Sequence, residues 1–313
     1  MTTIQPKPNM SRHLKNKLRQ DLFFKLLFQA SAILSSSMII VIIAFILIKG
    51  LQPFMASYQY GSRNFISFLF GMVYRQDQGI YGVGFIVVNT LISGFGALLI
   101  AFPLAVLTAL FIAKIAPKRI ADGMQTVVEL LASIPSVVYG VFAAGSITVM
   151  VKNLAALFGI QTAGGSSLMA VMLLLAIMVF PTITSMAITS IQAVSPDLEQ
   201  ASLALGATKT QTNFKVVLSS AKSGIFAGAI LGLGRAFGEA TAVSMVAGNK
   251  LFGPTFNPFD ITRTLTSTIL TGLKETTGVD YDIRFSAGIV LMAVILISNL
   301  SINFVKNRIG NAK

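Results

Sequence analysis

Three charged side chains stand inside long apolar runs of this sequence: Glu129, Arg235 and Glu239. An ionised group in lipid costs about 2.5–3.5 kcal/mol on insertion scales, so such residues face protein or a polar cavity and mark functional sites. Arg235 and Glu239 lie four residues apart in Gly234-Arg-Ala-Phe-Gly-Glu239, a spacing that puts both on one helix face. At about 100° per residue, Gly224, Gly228, Gly232, Arg235, Glu239 and Ala242 share one arc of about 80°. A glycine stripe lets a second helix come close, and the charged pair continues that stripe into the protein interior. Two chemistries fit the pair. It is an ion pair holding two helices together, or an anion site in which the planar fork of Arg235 binds an oxyanion. Glu129, one turn into its run, fits an interfacial or capping position as well as a substrate contact.

Other chemistries are poorly served. The chain has no cysteine, hence no disulfide, thiol nucleophile or thiolate metal site, and its single histidine, His13, sits in a polar basic stretch where it reads as solvated. Gly232-Leu-Gly-Arg-Ala-Phe-Gly238 has one residue too many for G-x-G-x-x-G and follows no strand, and no G-x-x-x-x-G-K-[ST] occurs. The chain therefore reads as neither an enzyme nor a holder of any cofactor or metal. If ATP drives it, the ATPase is a separate polypeptide.

The elements that must position Arg235 are membrane helices. Of 313 residues, 54% are hydrophobic and 11% charged, against about 25% charged in soluble domains; mean hydropathy is +0.77. Six runs reach the roughly 20 apolar residues that a bilayer requires: about 28–48, 85–113, 124–151, 168–194, 223–249 and 285–305. Alternating ten-residue strands are absent, so the fold class is all-α, a polytopic protein of about six transmembrane helices. Phe28–Ile48 exceeds the core of a signal peptide, about 7–15 residues, and reads as a retained anchor. Pro103, Pro135 and Pro181 interrupt three spans as kinks or as hinges along a pathway.

The net charge of +13 falls in short blocks between apolar runs, the pattern of the positive-inside rule and not of a nucleic-acid face. With both termini cytoplasmic, fifteen Lys and Arg, Lys114 among them, lie inside and eight, Arg263 and Arg284 among them, lie outside. The expected organisation is a basic cytoplasmic tail over 1–27, a first helix over 28–48 and an extracytoplasmic loop over 49–84. A five-helix core over 85–305 follows, with a cytoplasmic loop at about 195–222, and a short tail over 306–313 ends the chain.

That loop opens with Ser195-Pro-Asp-Leu-Glu199, a helix start with acids in its first turn, and Gly206 reads as the stop. A short cytoplasmic helix with an apolar stripe suits docking into a protein groove, and equally suits a plain surface helix. The segment resembles the EAA loop of ABC importer permeases, whose pattern is E-A-A, Gly four positions further, then I-x-L-P. Gln200-Ala201-Ser202 stands at E-A-A, with Glu199 one place earlier, Gly206 at the glycine and Val216-Val217-Leu218-Ser219 at I-x-L-P. Gln200 and Ser219 depart from the pattern. Leu131-Ala-Ser-Ile-Pro-Ser-Val-Val-Tyr-Gly140 and Gly232 through Asn249 resemble the phosphate-specific permeases, the second closer to the PstC type than to the PstA type, and Asn89-Thr90 through Pro103 to Ala116-Pro117 fits the family's first permease helices. The likeness covers about residues 81–305.

The resemblance implies a type-1 permease fold in the cell membrane. It also implies partnership with a second, PstA-type permease, an ATPase dimer and an extracytoplasmic phosphate-binding protein. Glu199, Gln200, Ala201, Ser202 and Gly206 would then meet the ATPases, and Arg235 and Glu239 would line the path of inorganic phosphate. ATP binding would pull the 197–206 loop and rock the spans outward, and hydrolysis would reset them. Phosphate keeps a proton near neutral pH and can donate a hydrogen bond to Glu239, which sulfate cannot. The alternatives are a sulfate, molybdate or phosphonate permease, a gradient-driven transporter or channel, and a non-transporting membrane scaffold.

Overall fold

The computed structural model describes residues 12–311, which form a helical chain with one two-stranded hairpin. The first helix, α1, runs Arg12–Leu51, and its apolar residues surround it on all sides, as a lipid-facing span requires. It begins inside the stretch expected to be a tail; residues 1–11 of that stretch lie outside those described. Residues up to Lys49 make a unit of their own, and Gly50 onward makes the body.

The body opens with a short helix, α2 (Phe65–Phe70), and the hairpin β1 (Tyr74–Arg75) and β2 (Ile80–Tyr81). Next come α3 (Gly84–Leu110), continued by a π-helical turn to Ile115, α4 (Lys118–Ser133), and α5 (Ser136–Phe142) joined through a π-turn to α6 (Thr148–Leu157). After α7 (Leu168–Gln192) stand the short α8 (Pro196–Ala204) and α9 (Lys209–Gln211). A further π-turn leads into α10 (Leu218–Gly238). The chain ends with α11 (Thr241–Val246), α12 (Leu265–Leu270) and α13 (Val279–Asn311).

Six segments of the described residues are long and apolar enough to span a membrane: Gln20–Phe54, Gly84–Ile115, Ser136–Leu157, Leu168–Gln192, Lys209–Gly238 and Val279–Phe304. Gly84–Ile115 and Leu168–Gln192 match the expected runs to within two residues at each end, while the first span extends about two turns beyond its run at both ends and the last begins about two turns before its own. The run over 124–151 is not matched. Pro135 locks the preceding residue, Ile134, into an extended conformation (ψ 127°) and divides the run into α4 and α5. Only the part from Ser136 onward spans. Glu129 therefore lies outside the membrane spans, on the exposed side of α4, where it accepts a hydrogen bond from Gln125 Nε2 at 3.0 Å. The run over 223–249 is also divided, by a break at Glu239. Pro103 and Pro181, by contrast, sit inside continuous helices.

α7 is the hub of the body and packs most closely against α3 and α10. The glycine stripe explains the α7–α10 seam. A methyl group added at Gly228 would lie 2.9 Å from Met186, and one at Gly232 the same distance from Ile183. Small residues thus let two backbones meet where lipid supplies no hydrophobic drive for association. One apolar core joins α3, α5, α7 and α11, and a second joins the far ends of α3, α4, α7 and α10. A third core gathers Tyr74, Tyr81, Phe85, Leu265 and Ile283 beneath the hairpin.

Candidate functional site

Arg235 stands in the last turn of α10, and half of it is sheltered. Its Nη1 donates to Thr182 Oγ1 on α7 at 3.1 Å. The two line a cavity of about 500 Å³ with Ile230, Leu231 and Gly234 of α10 and Asn299 of α13. The Asn299 Oδ1 atom is buried and without a hydrogen-bond partner. A guanidinium carries five N–H donors, and one of them is used here. The cavity therefore presents unused guanidinium donors among largely apolar walls, an arrangement suited to an oxyanion, while the unsatisfied Asn299 oxygen lies buried in its lining.

Glu239 does not complete an ion pair with Arg235. The i,i+4 relation requires a continuous helix, and α10 stops at Gly238, with Glu239 extended at φ −75°, ψ 116°. Among the described residues no ion pair joins the two. Glu239 Oε1 instead accepts the amide of Ala242 at 3.0 Å, capping the first turn of α11, and its carbonyl accepts Thr266 Oγ1 from α12 at 2.8 Å. A carboxylate satisfies orphan amides and complements the positive end of a helix. Glu239 thus stabilises the break that sets Arg235 at a helix end, with its second oxygen left over.

Two further arginines escaped the sequence reading, which placed both in outer loops. Arg284 lies inside α13 at 2% exposure, and its Nη1 donates to the carbonyls of Thr268 (2.8 Å), Ile269 (3.2 Å) and Thr271. These are the free carbonyls at the end of α12, and a cation is the natural partner for them. Arg263, 6% exposed, donates through Nε to Thr268 Oγ1 at 3.0 Å and lies 4.5 Å over the ring of Tyr74. Burial lowers the proton affinity of Arg263, and burial raises the pKa of the Tyr74 hydroxyl. The signal for Asn299 was an amide, one of two with Asn303, in a run that is otherwise mostly apolar.

The segment over 195–206 forms as its residues dictate. Ser195 caps α8 by accepting the Asp197 amide at 3.3 Å, and Gly206, at φ +86°, ends it in a conformation that side chains resist. Gln200 and Ala201 are exposed, and Leu205 at the C-terminal end is 90% exposed. Glu199 is not free: it forms an ion pair with Lys114 at the end of α3. Ser202 Oγ lies 2.9 Å from Thr212 Oγ1. Among the described residues no three His, Cys, Asp or Glu side chains gather as a metal site would need.

Residues 101–311 match the family described as the binding-protein-dependent transport system inner membrane component. A "Probable ABC transporter permease protein YqgH" of Bacillus subtilis is 33% identical over 298 residues, 94% of this chain and 93% of that one. A "Phosphate transport system permease protein PstC" of Pasteurella multocida is 30% identical over 283 residues, 83% of this chain and 88% of its own length. The fold resembles a chain of a bacterial alginate ABC transporter, solved in complex with an alginate pentasaccharide-bound periplasmic protein. That likeness has a TM-score of 0.62 and 20% identity, covering 96% of this chain and 99% of the other.

Proposed function

This chain belongs to the binding-protein-dependent transport system inner membrane components, and from that premise we propose that it carries inorganic phosphate into the cell as one permease of an ATP-driven importer. It is an ABC permease subunit and not an enzyme; ATP hydrolysis belongs to another polypeptide. The observation that carries the phosphate reading is Arg235, a partly buried cation with unused donors, in a cavity whose lining also includes Asn299 with its unsatisfied oxygen. Relatives named as phosphate permeases at about 30% identity support it.

In this reading both termini face the cytoplasm. The partners are a PstA-type permease on the Arg235 side, an ATPase dimer at the loop around 197–206 and an extracytoplasmic phosphate-binding protein. The body from 85 to 305 is the transport core. Gln200, Ala201 and Gly206 face the ATPases, while Glu199 and Ser202 bond within the chain. Arg235 holds the oxyanion, and Asn299 accepts a hydrogen bond from the hydroxyl that phosphate keeps and sulfate lacks, with the second oxygen of Glu239 a further acceptor. A polar site built for a donor discriminates strongly against an analogue lacking it.

Uptake of labelled phosphate by the complete reconstituted complex, with and without ATP, tests the proposal; uptake of sulfate in its place would refute it. Asn299→Leu should lower phosphate uptake about ten- to a hundredfold, the worth of a hydrogen bond to a charged partner at about 1.5–3 kcal/mol. It should also narrow the preference over sulfate in competition assays. Leu205→Asp, at the exposed end of α8, should weaken co-purification with the ATPase by roughly thirtyfold, a hot-spot loss of about 2 kcal/mol.

A further inference from the structure

Lys114 and Glu199 are 85 residues apart in sequence and meet as an ion pair, with side chains 18% and 23% exposed. Lys114 stands in the π-helical turn that ends α3, where the Ala116 amide reaches back to the Phe111 carbonyl at 2.8 Å. Such wide turns recur at functional positions. Glu199 lies in the first turn of α8, a helix with no buried residue. Side-chain bonds to α8 come from Lys114 and, through Ser202, from Thr212.

The three helices form a closed triangle. α7 continues into α8 through Ala193, Val194 and Ser195, and α3 packs along α7 more closely than any other pair in the body. The ion pair supplies the third side, from α8 back to the end of α3. Without it, α8 is held by its link to α7 and by the π-turn that leads into α10, and could swing without moving α3. With it, a pull on α8 is passed to α3 as well. We infer that the Lys114–Glu199 ion pair is the strut through which displacement of α8 reaches the span α3. Both are positioning residues for coupling, and Glu199 serves this chain's own interior and not the ATPase. The inference rests on the reading of α8 as the ATPase-facing helix.

The test uses the complete reconstituted complex and compares Lys114→Met, Glu199→Gln and the exchanged pair Lys114→Glu with Glu199→Lys. Uptake per ATP hydrolysed should fall about tenfold in each single variant, within the 5–150-fold span usual for coupling between sites. ATPase co-purification should be unchanged, and the exchanged pair should recover most of the loss. Loss in Glu199→Gln with normal coupling in Lys114→Met would overturn the inference and return Glu199 to the ATPase. So would an exchanged pair no better than the singles, a comparison that stands even if a single variant assembles poorly.

A second readout is independent of the substrate. The chain lacks cysteine, and a side chain at Gly234 meets nothing within 4 Å, so Gly234→Cys reports opening of the Arg235 cavity by maleimide labelling. Its ATP-dependent change should disappear in Lys114→Met and return in the exchanged pair. Absence of any ATP-dependent change in the unaltered background would leave nothing to transmit and would also overturn the strut. A Gly234→Cys complex with Lys114 and Glu199 intact that shows the ATP-dependent labelling change, beside a wild-type complex that takes up no phosphate, would refute the substrate reading alone.

Discussion

Arg235→Gln is expected to yield a complex that assembles and hydrolyses ATP yet imports phosphate about a hundredfold or more slowly. The side chain makes one hydrogen bond, to Thr182 at 3.1 Å, and no ion pair, so its removal leaves no buried carboxylate unpaired and little fold stability is at stake. What is lost is the cation in the cavity. Truncating one partner of a sheltered, hydrogen-bonded charge pair costs about 2–5 kcal/mol, or roughly thirty- to several thousandfold in a rate that depends on it. Glutamine is two atoms shorter but keeps the aliphatic stem and an amide donor group, so polarity is largely controlled. Arg235→Lys should fall between, since the charge stays while the fork that engages two oxygens at once is gone. Initial rates of labelled phosphate uptake beside ATP turnover check this. Wild-type uptake in Arg235→Gln would remove the arginine from the path.

Gly140→Val is expected to damage both stability and transport. Gly140 lies where α5 crosses α11, and a methyl group there would stand 2.8 Å from the Ala242 Cα and 3.3 Å from its Cβ. The first of these is backbone and has no rotamer by which to yield. α11 therefore has to shift, and with it Ala242, whose amide holds the Glu239 carboxylate. Overpacking of this kind costs about 1–3 kcal/mol, and here the displacement runs directly into the break that positions Arg235. Thermal unfolding in detergent should report the lost stability. Uptake should drop by more than the fraction of unfolded protein explains. Gly140→Ala, with the smallest intrusion, should show both effects in milder form.

The course of the chain through the membrane was largely legible, because length and apolarity are sufficient where lipid forbids irregular backbone. The breaks were less so. Pro135 was visible as a helix interruption, yet a kink and a complete division into two helices differ only in what neighbouring elements hold the freed groups. Nothing local announced the end of α10 at Gly238, since Arg235 and Glu239 have a spacing that favours a continuous helix. The break is held from a distance, by Thr266 on α12 and the Ala242 amide. Arg235 drew attention as a charge among apolar residues, while Asn299, neutral and 64 positions away, became part of the same cavity only through the packing of α13 on α10. Glu199 was noticed as an acid in the coupling segment, but its partner Lys114 was read merely as a marker of sidedness.

Six residues are too few to stay helical unaided, and α12 has no more than that. Its terminal carbonyls are gathered on the Arg284 guanidinium of α13, so the two behave mechanically as one rod with a hooked tip. Any movement of this part of the body must carry the hook along whole, and the yielding joint belongs between it and its neighbours.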